Sequence, residues 1–232
     1  MPDRQMLLDL GRAPSLTRED LIVTDANRDA AALVDRWPEW ASPFAAVAGG
    51  PGSGKTHLAS VWRSVSGAHA MADPRRPSAA DLDAAQAGTP VLCDGLAPDG
   101  LDEAAFFHLL NAVRGSGGSI LITAETAPSG WVLATPDLAS RFRAATVASL
   151  GLPDDDLLRA VAVKLFADRQ VAVDPAVVAY LLPRLERSLS ALADIVVRLD
   201  EVALARKMSI TRPLAAEVLR EISQQDQGRL GL

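Results

Sequence analysis

The sequence is poor in cysteine and in aromatic residues, and it has no long apolar run. Cys93 is its one cysteine, which excludes an internal disulfide framework and indicates a reducing compartment. Aromatic residues make up 4% and hydrophobic residues 49%, so the core must consist mainly of Ala, Leu and Val. No apolar stretch reaches the about 18 residues of a membrane span, and residues 6–10, interrupted by Asp9, are too short for a signal peptide. We therefore expect a cytoplasmic protein without a membrane segment.

An excess of positive charge is also missing. The chain has 23 Lys and Arg residues against 29 Asp and Glu residues, a formal net charge of −6. A broad nucleic-acid-binding surface needs clustered Lys and Arg, so the composition disfavours one. It leaves open contact with a partner that is itself bound to DNA. The length of 232 residues predicts either one domain with an appendage or two small domains.

What the sequence does contain is a complete phosphate-binding loop. Residues 49–56 read GGPGSGKT and fit the pattern G-x-x-x-x-G-K-[ST] without a mismatch. Its glycines let successive backbone N–H groups point at phosphate oxygens, its lysine would reach the β- and γ-phosphates, and its threonine would hold Mg²⁺. An apolar run at 44–48 precedes the loop and apolar residues at helical spacing follow it, in the required strand–loop–helix order. The predicted nucleotide-binding residues here are Gly50, Gly52, Ser53, Gly54, Lys55 and Thr56.

A second apolar run, Leu21-Ile22-Val23, lies upstream of the loop. In a protein with a phosphate-binding loop such a segment often packs against the base. Leu21, Ile22 and Val23 are therefore candidate adenine contacts, with plain core packing as the alternative.

Two predicted strands end in polar residues. Residues 90–94 are apolar up to Asp94, the form of a Walker B strand whose aspartate holds Mg²⁺ through water. A buried aspartate at a strand end is otherwise costly, which favours this interpretation over a turn. Residues 119–123 form the next buried strand and end in Thr123, which is placed to sense the γ-phosphate.

The residue after the Walker B aspartate departs from the pattern of hydrolysing proteins of this class. Those proteins usually have a second acidic residue there to position the attacking water, whereas this chain has Gly95. Asp99 and Glu103 are near in sequence but do not occupy that position. The sequence therefore predicts slow intrinsic hydrolysis, even if nucleotide binds tightly.

From residue 153 onward the sequence predicts helices alone. Helices are expected over 154–168, after Asp174-Pro175, over 188–206 and over 211–222, with a polar, fraying segment at 223–232. The predicted fold class is α/β: a P-loop domain with a parallel sheet, followed by a C-terminal α-helical lid domain. The predicted boundaries are an N-terminal tail at 1–14, the nucleotide-binding domain at 15–151 and the lid at 152–232.

The N-terminal tail carries the pattern Gln-x-x-Leu-x-Leu. It looks like the peptide by which bacterial replication proteins dock into the DNA sliding clamp, where the glutamine bonds backbone and the later hydrophobic residues fill a pocket. The alternative is that the leucines pack on this protein's own core. The predicted clamp-binding residues are Gln5, Leu7, Leu8 and Leu10.

Three further segments resemble the AAA+ module of the bacterial initiator DnaA: GKTHL at 54–58, LxSRF at 138–142 and RLERSL at 184–189. The resemblance covers about residues 15–222. The sequence shows neither the helix-turn-helix domain nor the N-terminal domain of an initiator. A DnaA-like AAA+ module with a clamp-type peptide is similar to the Hda family, which performs regulatory inactivation of DnaA.

The resemblance implies a set of roles. It makes Arg141 an arginine finger, Arg187 the lid arginine of sensor 2, and His57 part of the nucleotide-binding segment. Arg143 is the rival finger, and an ion pair with Asp137 is the alternative role for Arg141. The implied ligands are ADP or ATP with Mg²⁺. The implied partners are DnaA, the sliding clamp and, through the clamp, DNA.

The leading function is then a negative regulator of replication initiation that docks on the clamp and stimulates hydrolysis of DnaA-bound ATP. Its own ATPase activity is expected to be weak. One alternative is a helicase loader or ATPase of the DnaC type, and another is an adaptor that tethers DnaA to the clamp without catalytic help. The sequence leaves the oligomeric state open, a homodimer included.

Overall fold

A parallel sheet forms the centre of the structure. The structure is a computed structural model. It describes residues 17–230, apart from the side chains of residues 223 and 225–230. Its five strands lie in the order β2-β3-β4-β1-β5, and every neighbouring pair is parallel. The carboxyl ends of all strands therefore meet at one edge, where ligands of open α/β sheets bind. The strands are β1 (Phe44–Gly49), β2 (His69–Ala70), β3 (Val91–Leu96), β4 (Ile120–Ala124) and β5 (Thr146–Leu150).

Helices cover both faces of this sheet. One face packs against α1 and α2 around Trp62, and the other against α3, α4 and α5 around Phe106 and Phe142. Strands β1 and β4 are thus buried on both faces, which explains their near-continuous apolar sequences. The helices are α1 (Arg28–Asp35), α2 (Lys55–Ser66), α3 (Ala79–Gln86), α4 (Glu103–Ser116) and α5 (Pro136–Arg143).

The C-terminal helices pack around an apolar cluster of their own, which includes Phe166 and Leu199. Polar side chains cap three of them: Asp154, Asp174 and Ser188 each accept a hydrogen bond from a backbone N–H in the first turn. These caps fix where the chain turns from loop to helix, and so which residues face the sheet. The helices are α6 (Asp155–Asp168), α7 (Pro175–Leu181), α8 (Leu189–Arg206) and α9 (Arg212–Leu230).

The predicted parallel α/β sheet with a helical lid is confirmed, but several elements differ from expectation. Strand β5 was not predicted, because its sequence alternates between buried and exposed residues and lacks a continuous apolar run. Helix α3 was also missed, although Ser78 and Asp81 form a capping box that announces it. The prediction that the last helix ends near residue 222 is wrong, since α9 continues to Leu230.

Within residues 17–230, no helix is both long enough and apolar enough to cross a membrane. The predicted clamp peptide, with Gln5, Leu7, Leu8 and Leu10, lies outside the described residues.

Candidate functional site

The glycine-rich loop connects β1 to α2 at the carboxyl edge of the sheet. Gly52 and Gly54 have φ angles of 67° and 99°, in the left-handed region that glycine adopts without a steric penalty. Gly54 immediately precedes the first residue of α2. The loop therefore leads into a helix N-terminus, whose free N–H groups and dipole favour a bound anion.

The lysine of this loop lies across it. Lys55 Nζ donates hydrogen bonds to the carbonyl oxygens of Gly49 and Gly50, both at 2.8 Å. The buried Ser53 hydroxyl donates to the Gly50 carbonyl, also at 2.8 Å, and this bond closes the turn. The ammonium group is thus held by two neutral acceptors that a charged phosphate oxygen would outcompete.

Beside the loop lies a cavity of about 350 Å³ whose walls are mostly aliphatic. The segment before α1, the end of β5 and the lid helices α6 and α8 complete it. Leu21 and Ile22 line it as predicted for base contacts, whereas Val23 is 42% exposed and lies outside it. The aliphatic residues of the wall are Leu21, Ile22, Leu58, Leu150, Leu157, Val161, Leu165 and Leu189.

Polar side chains hold the rim of this cavity in place. The buried Asn27 accepts a hydrogen bond from the Thr24 N–H and donates one to the Ile22 carbonyl, each at 2.8 Å, so it fixes the segment that carries Ile22. Lys164 on α6 forms ion pairs with Asp20 at 2.9 Å and with Asp168 at 2.7 Å. The segment before α1 is thereby tied to the lid, a connection that the sequence did not suggest.

His57 contributes its ring to the same cavity. Its Nε2 atom is buried and has no hydrogen-bond partner within the described part of the chain. Burial lowers the pKa of His57, although the Thr17 backbone and the charge of Asp20 oppose that shift. His57 is therefore a neutral wall residue at neutral pH.

The lid touches the glycine loop directly. The Leu189 N–H donates a hydrogen bond to the Gly52 carbonyl at 2.8 Å. A Cβ atom on Gly52 would lie 2.0 Å from the Ser188 hydroxyl oxygen, so only glycine allows this approach. Sequence reasoning missed Ser188, Leu189 and Ser190, although a serine just before an apolar helix is a recognisable N-cap signal.

The predicted sensor 2 arginine is not brought to the cavity. Arg187 forms an ion pair with Asp155 at the start of α6, and its side chain is 54% exposed. Ser188 adopts an extended conformation immediately before α8, so consecutive side chains lie on opposite sides of the chain. The hydroxyl of Ser188 therefore faces the loop while the guanidinium of Arg187 faces away from it.

The predicted Walker B aspartate, Asp94, does contact Thr123, the polar residue near the end of β4. The fully buried Thr123 donates its hydroxyl hydrogen to the Asp94 carboxylate at 2.5 Å and accepts a hydrogen bond from the Gly95 N–H at 2.7 Å. The pairing of β3 with β4 shifts between Cys93 and Leu96 to accommodate this arrangement. Gly95 has a φ of 81°, so a side chain in the place of the second acid would be strained.

Glu103, one of the acidic residues near Asp94 in sequence, does not supply the missing carboxylate. Glu103 accepts hydrogen bonds from the backbone N–H groups of Ala134 and Thr135, at 2.9 and 2.6 Å, which commits it to the start of α5. Among the described residues, no group of three or more His, Cys, Asp or Glu side chains is placed to hold a metal ion. The exposed Thr56 and the half-buried Asp94 fit a Mg²⁺ ion that is held mainly by phosphate and water.

The two candidate finger arginines, both in the last turn of α5, differ in their surroundings. Arg141 donates from Nη2 to the Asn111 side-chain oxygen at 2.6 Å, and its guanidinium carbon lies 4.8 Å from the centre of the Phe107 ring. The expected alternative, an ion pair with Asp137, is absent from the described ion pairs. Arg143 is exposed.

Comparisons with known proteins support the sheet-and-lid fold described above. Residues 155–219, which span α6 to most of α9, match the family model of the Hda lid domain. Domain III of the DnaA replication initiation protein from Thermotoga maritima superposes with a TM-score of 0.72 at 19% identity, over 90% of this chain and 97% of that one. The chain therefore has the AAA+ fold of DnaA domain III, and its C-terminal helices match the Hda lid domain.

Two further solved structures share the fold. AMPPCP-bound DnaA from Aquifex aeolicus matches with a TM-score of 0.60 at 19% identity, over 78% of this chain and 63% of that one. A RuvB variant from Thermotoga maritima matches with a TM-score of 0.70 at 16% identity, over 89% of this chain and 72% of that one. The AAA+ architecture is thus shared with initiators and with a branch-migration motor, so the fold alone does not select between their activities.

Proposed function

We propose that this Hda/DnaA-like protein is a negative regulator of replication initiation, which docks on the DNA sliding clamp and stimulates hydrolysis of DnaA-bound ATP. The observation that carries the proposal is the combination of an Hda-type lid with a DnaA-like AAA+ module. AAA+ modules of one type associate edge to edge, so a DnaA-like module is suited to bind DnaA itself.

In this proposal the protein binds an adenine nucleotide between the glycine loop and the lid. The aliphatic cavity beside the loop has the size and apolar character that a purine base requires. Lys55 and the N–H groups of the loop would hold the phosphates, and Thr56 with Asp94 would hold Mg²⁺. DnaA structures that carry AMPPCP give the same fold an adenine nucleotide ligand, which supports the choice of base.

The nucleotide serves as a structural ligand more than as a substrate. Thr123 engages the Asp94 carboxylate, and the position that follows is a glycine with a positive φ. Gly95 thus supplies no carboxylate to activate water, and Glu103 is committed to α5. The hydrolysis that matters takes place on DnaA, where Arg141 supplies positive charge to the developing phosphate charge.

The test measures release of labelled phosphate from DnaA preloaded with ATP, in the presence of clamp loaded on DNA. Arg141→Ala should keep nucleotide binding and clamp binding but lose stimulation, because fingers supplied in trans contribute on the order of 10³ to 10⁵ in rate. Arg141→Lys should rescue little, since an ammonium lacks the planar fork of the guanidinium. Arg143→Ala is the matched control from the same helix turn and should do much less.

The clamp part of the proposal has its own test. Gln5→Ala combined with Leu8→Ala should abolish clamp binding and clamp-dependent stimulation while the thermal midpoint stays unchanged. Unaltered affinity for the clamp would remove this assignment.

A second candidate is the adaptor that tethers DnaA to the clamp without a finger. In that case the contacts of Arg141 with Asn111 and Phe107 would be internal packing only. If Arg141→Ala stimulates DnaA as well as the wild type does, the finger fails and the adaptor becomes the leading function.

A further inference from the structure

We propose that Asn111 is a positioning residue for Arg141: its amide oxygen aims the guanidinium while leaving its positive charge uncompensated for an anion on a neighbouring molecule. This inference rests on the proposed function, in which Arg141 acts on the ATP of DnaA. The two side chains belong to different helices, α4 and α5, which pack together on one face of the sheet.

Two contacts from one helix fix the guanidinium. Asn111 accepts from Nη2 at 2.6 Å, and the Phe107 ring lies under the guanidinium carbon at 4.8 Å. Phe107 and Asn111 are four residues apart on α4, so they lie on one face of that helix. A planar group held at its edge by a hydrogen bond and on its face by a ring has lost most of its rotational freedom before any partner arrives.

Neither contact neutralises the arginine. Within the part of the chain that the structure describes, Arg18, Arg187 and Arg206 pair with carboxylates at close range, whereas none of the ion pairs includes Arg141. An amide oxygen is a dipole and a ring face is a quadrupole, so the full unit charge remains. A carboxylate in the same position would compete with phosphate for the guanidinium.

A second guanidinium nitrogen is left for a ligand. Arg141 Nη1 is buried and has no hydrogen-bond partner among the residues that the structure describes. A buried, unpaired donor on a charged group destabilises the state that contains it. An anion on a neighbouring molecule that reaches Nη1 would satisfy this donor, while the bond from Nη2 to Asn111 continues to orient the group.

The decisive variant is Asn111→Asp, which keeps the shape of the side chain and adds a negative charge. It should lower the maximal rate of phosphate release from DnaA-bound ATP by about tenfold or more, because it turns a hydrogen bond to a neutral amide into an ion pair that competes with phosphate for the guanidinium. The concentration of this protein that gives half-maximal stimulation should change little, and the thermal midpoint should stay equal or rise. Asn111→Ala should lower the maximal rate several-fold through lost orientation, which is a smaller effect than that of Asn111→Asp.

If Asn111 has only a structural role, the order of the two effects on the rate is reversed. Asn111→Asp, which forms a stronger pair, would then be harmless, and Asn111→Ala would be harmful. Ser140→Asp is the matched control, because it adds the same charge on the exposed side of α5. Wild-type rates for Asn111→Asp, or an equal loss in Ser140→Asp, would overturn the inference. If Arg141→Ala itself has no effect on the rate, the proposed finger fails. This result distinguishes a failure of the proposed function from a failure of the role given to Asn111.

Discussion

The two ends of the proposed nucleotide site are built very differently. The end that would take the base is a roomy aliphatic cavity, walled by the segment before α1, the sheet and the lid. The end beyond the phosphates consists of a single aspartate held by Thr123 and followed by Gly95 at a φ of 81°. One end is lined for a base, whereas at the other end the residue after Asp94 offers no carboxylate.

Under the proposed function, this difference suits a protein that is stabilised by its nucleotide and acts on a partner. A ligand that binds the folded state alone adds stability in proportion to the logarithm of its concentration over its dissociation constant. Here the ligand would join the loop, the segment around Leu21 and the lid into one unit, which presents α5 and Arg141 on a fixed frame. Fast hydrolysis of the bound nucleotide would repeatedly separate the loop, the segment around Leu21 and the lid. Slow hydrolysis is therefore consistent with the proposed role.

The largest expected effect is on the phosphate contacts. Lys55→Ala should weaken binding of ADP by about 100-fold or more, about 3 kcal/mol, because it removes a charge-assisted bond to phosphate. Isothermal calorimetry measures this change. Arg63→Ala, an exposed cation on the same helix, should leave the affinity unaltered. Equal loss in both variants would mean that general positive charge, and not the loop lysine, holds the ligand.

The contact between the loop and the lid is the next largest. Gly52→Ala should lower the free energy of unfolding by about 2–3 kcal/mol, from a strained φ and from overlap with the Ser188 hydroxyl 2.0 Å from the new Cβ. Gly50→Ala in the same loop has open space and should cost less than about 1 kcal/mol. Urea unfolding compares the two. Equal stabilities would show that the lid does not rest on the loop in solution.

The sequence predicts the binding end better than the contacts between elements. The glycine loop, its strand and its helix follow from local chemistry, because the pattern G-x-x-x-x-G-K-[ST] specifies one short structure by itself. The position of the Arg187 side chain does not follow from the local sequence. Ser188 is extended, and neighbouring side chains of an extended segment lie on opposite sides of the chain. The pairing of Asp94 with Thr123 required the order of the strands, which no local pattern contains.

The residues that line the cavity were also only partly predictable from the sequence. Leu21 and Ile22 line it, whereas Val23 is 42% exposed and lies outside it, an outcome that depends on how the segment packs and not on its apolar sequence. Lys164 and Asp168 were not predicted as rim residues, since their role depends on how α6 packs against the segment that carries Asp20.

A smaller effect is expected at the other end of the site. Thr123→Val should destabilise the protein by about 1–2 kcal/mol, because it leaves the Gly95 N–H and the Asp94 carboxylate without their partner. Thr146→Val, on strand β5, is the matched substitution and should be nearly neutral. Thermal unfolding gives both values. If the two variants lose equal stability, the Thr123 hydroxyl is not the group that holds this end together.

The smallest effect belongs to the rim of the cavity, where Lys164 joins Asp20 and Asp168. Burial lowers the pKa of Lys164, but the hydrogen bonds to Asp168 and Asp20 outweigh it and raise the pKa above its usual 10.5. A raised pKa means that the folded state holds the proton more tightly than the unfolded state. The stabilisation is therefore complete below pH 10.5 and is lost as the pH rises through the folded value.

Lys164→Met should thus cost about 0.5–1 kcal/mol at pH 7, since partly exposed ion pairs contribute little. The difference from the wild type should shrink as the pH rises beyond the usual lysine value, because the wild type then loses the same charge. Chemical unfolding at neutral and alkaline pH measures both quantities, with Lys207→Met as the control outside the described ion pairs. A cost that stays constant with pH would assign the effect to packing of the lysine stem, and the rim would then be held by apolar contact as the rest of the cavity is.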